Sequence, residues 1–308
     1  MNITTLSISR YNENNATASV VIISGKAIFG YGYNGSVGVS MTNLVSNTGV
    51  VANDTTGVGT ARRRLAAAGY GTDKAIFGYG LNGAVVSMTN LVSNTGVVAT
   101  DTTGVGTARQ GVAAANYGTD KAIFGYGYTS TNVSITNLVS STGVVATDTT
   151  GVGTARYFLA AAGYGTDKAI FGYGVIVSAD TNQNVTNLVS STGVVALDTT
   201  GVGTARYGLA ASGYGTDKAI FGYGFNGAFQ NVTNLVSNTG VVATDTTGVG
   251  TARADLAAAG YGSDKAIFGY GGGPVSITNL VSNTGVVATD TTGVGTARYT
   301  LAAARIGG

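Results

Sequence analysis

The stretch Lys74-Ala75-Ile76-Phe77-Gly78-Tyr79-Gly80 (KAIFGYG) decides the fold, because the chain writes it six times. The copies begin at Lys26, Lys74, Lys121, Lys168, Lys218 and Lys265, with spacings of 48, 47, 47, 50 and 47 residues. Each is followed by TNLVS(N/S)TGVVA, marked by Asn43, Asn90, Asn137, Asn187, Asn234 and Asn279. The block DTTGVGTAR closes each unit, at Arg62, Arg109, Arg156, Arg206, Arg253 and Arg298. Self-similarity at such a period is the mark of a repeat architecture.

Four short apolar or β-favouring runs per unit, separated by Gly, Asn, Asp and Thr turn signals, predict four strands. In the second unit these are Leu65–Tyr70, Lys74–Tyr79, Met88–Val92 and Val97–Thr100. Ala lowers the β-propensity of LAAAGY, but small residues suit a strand in the crowded centre of a radial array. Four strands per unit and six units predict an all-β, six-bladed β-propeller of four-stranded antiparallel blades.

The order of elements resembles the kelch repeat family. Gly78-Tyr79-Gly80 stands at that family's glycine doublet, Leu91 and Val98 at its aromatic pair, and Arg109 at the arginine before the next repeat. The doublet is split and Trp is absent, so the resemblance implies a kelch-like fold and no activity. Residues 18–308 are expected to form one propeller, preceded by an arm at 1–17. Two segments compete for one inner-strand place: Ala18–Ser24, just before Lys26, and Leu301–Gly308, after the last Arg298. The second could instead lead to a neighbouring subunit, giving a homo-oligomer through the termini.

Differences between units fall in two windows. One follows FGYG, as in YNGSVGVSM (33–41), YTSTNVSI and VIVSADTNQNV (175–185); the other is the residue pair after each TAR, from Arg63-Arg64 to Tyr299-Thr300. In an antiparallel blade both connections emerge on one face, so both windows are expected on one rim. Loops on a rigid scaffold carry recognition, yet unconstrained loops also drift. The candidate contact residues are Arg63, Arg64, Tyr157, Phe158, Tyr207 and Tyr299, with Tyr33, Tyr128, Asp180, Phe225 and Phe229 from the first window.

Composition limits the chemistry. The chain has no Cys, no His and one Glu, so thiol and imidazole catalysis and the common zinc sites are excluded, and no enzyme activity, cofactor or metal is expected. Of the charged residues, only Arg10, Glu13, Arg63, Arg64, Asp180, Asp255 and Arg305 are not part of the repeat. The DTTG aspartates (Asp54, Asp101, Asp148, Asp198, Asp245, Asp290) are expected to bond the backbone of their own turns rather than Ca²⁺. The TAR arginines could ring an anion or join neighbouring blades through carbonyls and a turn Asp, with joining preferred. The recurrent Tyr79 and its equivalents are expected to pack between blades.

A net charge of +2, evenly spread, argues against nucleic acid. Residues 1–15 show neither a basic leader nor an apolar run, and no segment is apolar enough to span a bilayer, so no signal peptide and no membrane insertion are expected. Near-identical arrays resemble repeat propellers of phage and environmental origin. That resemblance implies a virion-associated, host-surface-binding protein located in the virion or, during assembly, the host cytoplasm. The partner would be a glycan, a surface protein or other virion proteins. The competing expectation is a purely architectural subunit, natural or designed, with no ligand.

Overall fold

A computed structural model describes residues 25–307. After its leading lysine, KAIFGYG is apolar rather than alternating, as expected of a strand covered on both faces. It forms β1 (Lys26–Tyr33), which pairs antiparallel with β2 (Gly38–Val45). The next four units repeat one pattern of three antiparallel strands: β3 (Ala66–Tyr70), β4 (Lys74–Leu81) and β5 (Val85–Val92); β6 (Ala113–Tyr117), β7 (Lys121–Tyr128) and β8 (Asn132–Val139); β9 (Ala160–Tyr164), β10 (Lys168–Ile176) and β11 (Thr181–Val189); β12 (Ala210–Tyr214), β13 (Lys218–Phe225) and β14 (Phe229–Val236). The sixth unit has β15 (Ala257–Tyr261), β16 (Lys265–Gly271) and β17 (Val275–Val281).

β18 (Ala302–Ile306) adds to the free edge of β1, with Ile306 opposite Lys26 and Ala302 opposite Gly30. The C-terminal copy therefore completes the first sheet, and the competing segment 18–24, like the arm 1–17, lies outside the described residues. The result is an all-β, propeller-like array of six three-stranded sheets.

The alanine-rich strands are innermost. β3 lies between β18 and β6, and β15 between β12 and β18. Side chains of β4 point alternately to the two neighbouring units: Phe77 joins Ile28 and Tyr31 of the first, and Ile76 joins Phe124 of the third. At Gly78 an added Cβ would lie 2.7 Å from Phe124 Cζ, so only glycine admits the neighbour's ring there. Tyr79 sits at φ +63° in a bulge between Gly78 and Gly80. Its buried ring meets Phe124 edge-on, with centroids 5.1 Å apart.

The expected fourth strand does not form. Val97–Thr100 runs beside β5, but only the isolated bridges Val92–Val98 and Thr89–Thr102 form. The register slips by one residue between them, which breaks the ladder, and Asp101 within the slip turns to the preceding unit. Its carboxylate accepts bonds from Thr60 N–H (3.0 Å) and Thr60 Oγ1–H (2.6 Å), and from Asn90 Nδ2–H (2.9 Å). The DTTG aspartate thus bonds across units rather than within its own turn.

Arg62 is the centre of this junction. Fully buried, it donates from Nε to the Tyr79 carbonyl (2.9 Å), from Nη1 to the Thr60 carbonyl (3.1 Å) and from Nη2 to Asn90 Oδ1 (2.7 Å). Its guanidinium lies 4.4 Å over the Tyr31 ring and 3.9 Å from Asp101. Burial pushes the Asp101 carboxyl up, but donors from Thr60 and Asn90, with the charge of Arg62, hold it below its ordinary value. The arginines join units, as preferred over an anion ring, and the last junction uses the same bonds. Arg298 donates to the Tyr31 carbonyl and Asn43 Oδ1, and Thr296 to Asp54.

Replacing Arg109 by Ala should destabilise the protein by about 3–5 kcal/mol in denaturant titration, because Asn137 Oδ1 and the Tyr126 carbonyl lose their donor in a buried site. Lys121→Ala, which removes an exposed pair with Asp120, should leave the unfolding midpoint unchanged.

Candidate functional site: the variable rim

The variable residue pair after each TAR is built on main-chain bonds. The second residue of each pair donates its N–H to the carbonyl of its equivalent in the preceding unit. Gly111 bonds to Arg64, Phe158 to Gly111, Gly208 to Phe158, Asp255 to Gly208, Thr300 to Asp255 and Arg64 to Thr300, over 2.6–3.0 Å. These six bonds return to their start. All six residues have left-handed backbone, with φ between +50° and +62°. The side chains therefore vary on a frame that the main chain holds.

The first residue of each pair meets the other window. Tyr299 bridges to Tyr33, Arg63 to Leu81, Gln110 to Tyr128, Tyr157 to Val175 and Tyr207 to Phe225. Both variable windows consequently share one rim. The GTDK and SNTG turns meet elsewhere, as where Asn94 donates to Asp73.

The rim side chains touch in sequence. Tyr128 packs on Tyr157 (centroids 5.4 Å apart), Tyr157 on Phe158 (4.4 Å) and Phe158 on Tyr207 (6.2 Å, stacked). Tyr207 continues to Phe225 (5.6 Å) and Phe225 to Phe229 (5.7 Å), whose side chain is exposed. This arc of six aromatic rings crosses the third, fourth and fifth units. A second cluster joins Tyr33 to Tyr299 (5.5 Å), with Arg63 lying 4.3 Å over the Tyr33 ring. Arg64 lies 5.2 Å over Phe158.

Asp180, also among the expected contacts, caps a short 3₁₀ turn, Val177–Ala179, in the longest loop. That loop is anchored by Asn132, which donates to the Val175 carbonyl and accepts from Val177 N–H. Burial raises the Tyr207 hydroxyl, and the charges of Asp255 and Asp180 add to that shift.

Asp255 is a rim residue that the sequence reading passed over. Its signal was positional: it occupies the same place in its pair as Arg64 and Phe158. Its Oδ1 is buried without a hydrogen-bond partner, as is Nε of Arg64. Burial pushes the Asp255 carboxyl up to about 6, against the opposing pull of Arg64.

Beneath the rim, the axis holds a cavity of about 110 Å³ lined by Leu65, Val112, Leu159, Leu209, Leu256 and Leu301. A second cavity of about 210 Å³ opens on the opposite face, where Lys74, Lys168, Asn116 and Arg305 line it. Among the described residues, no helix is long and apolar enough to cross a membrane.

No protein-family model matches the chain, and no curated protein matches it in sequence.

Asp255 binds its proton more tightly in the folded protein than in the unfolded chain, so stability should fall as pH rises from about 4 to about 6 and level off above. The loss should be on the order of 3 kcal/mol. The six junction aspartates act in the opposite sense, and only below about pH 4. Melting temperatures of Asp255→Asn across this range should lack the decline between pH 4 and 6.

Proposed function

We propose that the chain is a closed, six-bladed, kelch-like propeller that acts as a non-enzymatic recognition module, presenting its variable rim to a glycan on a host surface. The observation that carries this reading is the continuous aromatic arc from Tyr128 to Phe229, ending in an exposed ring. Aromatic faces bordered by polar side chains suit the alternating C–H and hydroxyl surface of sugars. Closure is supported by the junction of the last unit with the first, which repeats the bonds of the other five. Location in a virion rests on the resemblance of the array to phage repeat propellers.

A second reading has its own support. Val50, Val97, Val144, Val194, Val241 and Val286 are each about two-thirds exposed at equivalent turns, a sixfold apolar set that packing against other copies or a larger particle would cover. The C-terminal segment is not free for that role, because β18 is spent on β1.

Labelled protein on a broad glycan array should bind selectively, and the Arg63→Ala, Tyr207→Ala, Phe229→Ala variant should lose that binding at unchanged melting temperature. No binding above background, with concentration-dependent association abolished by Val97→Ser, Val144→Ser, Val194→Ser, would favour the architectural reading.

A further inference from the structure

We propose that the mouth of the axial cavity, on the variable rim, binds a small apolar α-amino acid in its zwitterionic form. This site shares Phe158 with the aromatic arc proposed to contact glycan, but its charged pair, Arg64 and Asp255, and the apolar well lie outside the arc, so either activity can exist without the other.

Six left-handed residues circle the axis. Their order is Arg64, Gly111, Phe158, Gly208, Asp255, Thr300, with a glycine on either side of Phe158. The two glycines make room for nearby side chains. A Cβ at Gly208 would stand 3.0 Å from Asp255 Oδ1, and one at Gly111 would stand 2.8 Å from the Tyr157 ring. A guanidinium and a carboxylate are thereby gathered at one mouth.

Both charges are incompletely met. Arg64 Nε and Asp255 Oδ1 are buried with no partner, although most buried polar atoms in folded proteins are hydrogen-bonded. Arg64 donates through Nη1 to Gln110 Oε1 (2.9 Å), which fixes the guanidinium and leaves its Nε edge for a carboxylate. The raised Asp255 carboxyl reflects the cost of an unpaired buried charge, which a ligand ammonium would remove.

Two further features select the ligand class. The well below is apolar, lined by leucines, a valine and alanines, and its volume of about 110 Å³ suits a branched aliphatic side chain. Phe158 is already covered by Tyr157 at 4.4 Å, Tyr207 at 6.2 Å and Arg64 at 5.2 Å, so it offers no free face on which a sugar ring could stack. A ligand carrying a carboxylate and an ammonium on one carbon, with an aliphatic tail, satisfies both buried atoms and adds no net charge.

The test is calorimetric titration with L-leucine, beside isovalerate, which lacks the ammonium, and isopentylamine, which lacks the carboxylate. L-Leucine should bind, and each single-ended analogue should bind at least tenfold more weakly. Asp255→Asn and Arg64→Gln should each weaken L-leucine at least tenfold, and Asp255→Asn, which lies outside the arc, should leave glycan-array binding intact. NMR provides a second readout, with resonances of Leu65, Leu159 and Phe158 shifting on titration. No shift of these resonances at saturating L-leucine would overturn the proposal. So would isovalerate binding as well as L-leucine, or displacement of L-leucine by methyl hexopyranosides.

Discussion

One buried guanidinium per junction holds the units together. A charged group with no solvent contact is tolerated only when its donors are met, and Arg109 shows how completely this is done. Its Nε reaches the Tyr126 carbonyl, its Nη1 the Thr107 carbonyl and its Nη2 Asn137 Oδ1, with the Tyr79 ring 4.2 Å beneath. Each partner constrains another residue. Asn137 must also donate to Asp148 and to the Ala146 carbonyl, and Asp148 must accept from Thr107. The blocks GYG, TNLVS and DTTGVGTAR recur because each supplies part of this one arrangement. Loss of the arginine, asparagine or aspartate side chain would leave a buried donor or acceptor unpaired.

The variable positions are those this arrangement does not reach. At the axial end, the circle of bonds is made by main chain alone, so any side chain is compatible with it. The backbone there is nevertheless costly for most residues, since left-handed conformation favours glycine by about 1 kcal/mol or more. Gly111 and Gly208 meet that preference; Phe158 at φ +51° and the β-branched Thr300 at φ +50° do not. Local conformation therefore does not explain the residues chosen at the rim. Their contacts with one another, from Tyr128 through Phe229 and from Arg64 to Phe158, do.

Much of this was legible in the residues. The period gave six units, the β-favouring run in KAIFGYG gave a strand, and the positions of the two windows put them on one rim. The fourth strand was not legible, because VVATD has strand composition while its pairing is broken by an inserted residue whose side chain is recruited across the junction. The partner of Asp101 was hidden for a related reason: Thr60 lies in the preceding unit, and no local pattern signals a bond that distant. The choice between terminal segments depended on which one met the open edge of β1, a question of pairing rather than composition. Asp255 was overlooked because a lone carboxylate among aromatics looks like a surface charge until its burial is known.

Native-state hydrogen exchange at the six rim amides, Arg64, Gly111, Phe158, Gly208, Asp255 and Thr300, tests most directly whether the arginine-held junctions are equivalent, the last with the first included. The account predicts that all six exchange with one common protection, reached only by global unfolding. Markedly faster exchange at Arg64 than at the other five would show that the first and last units part before the rest, and would contradict it.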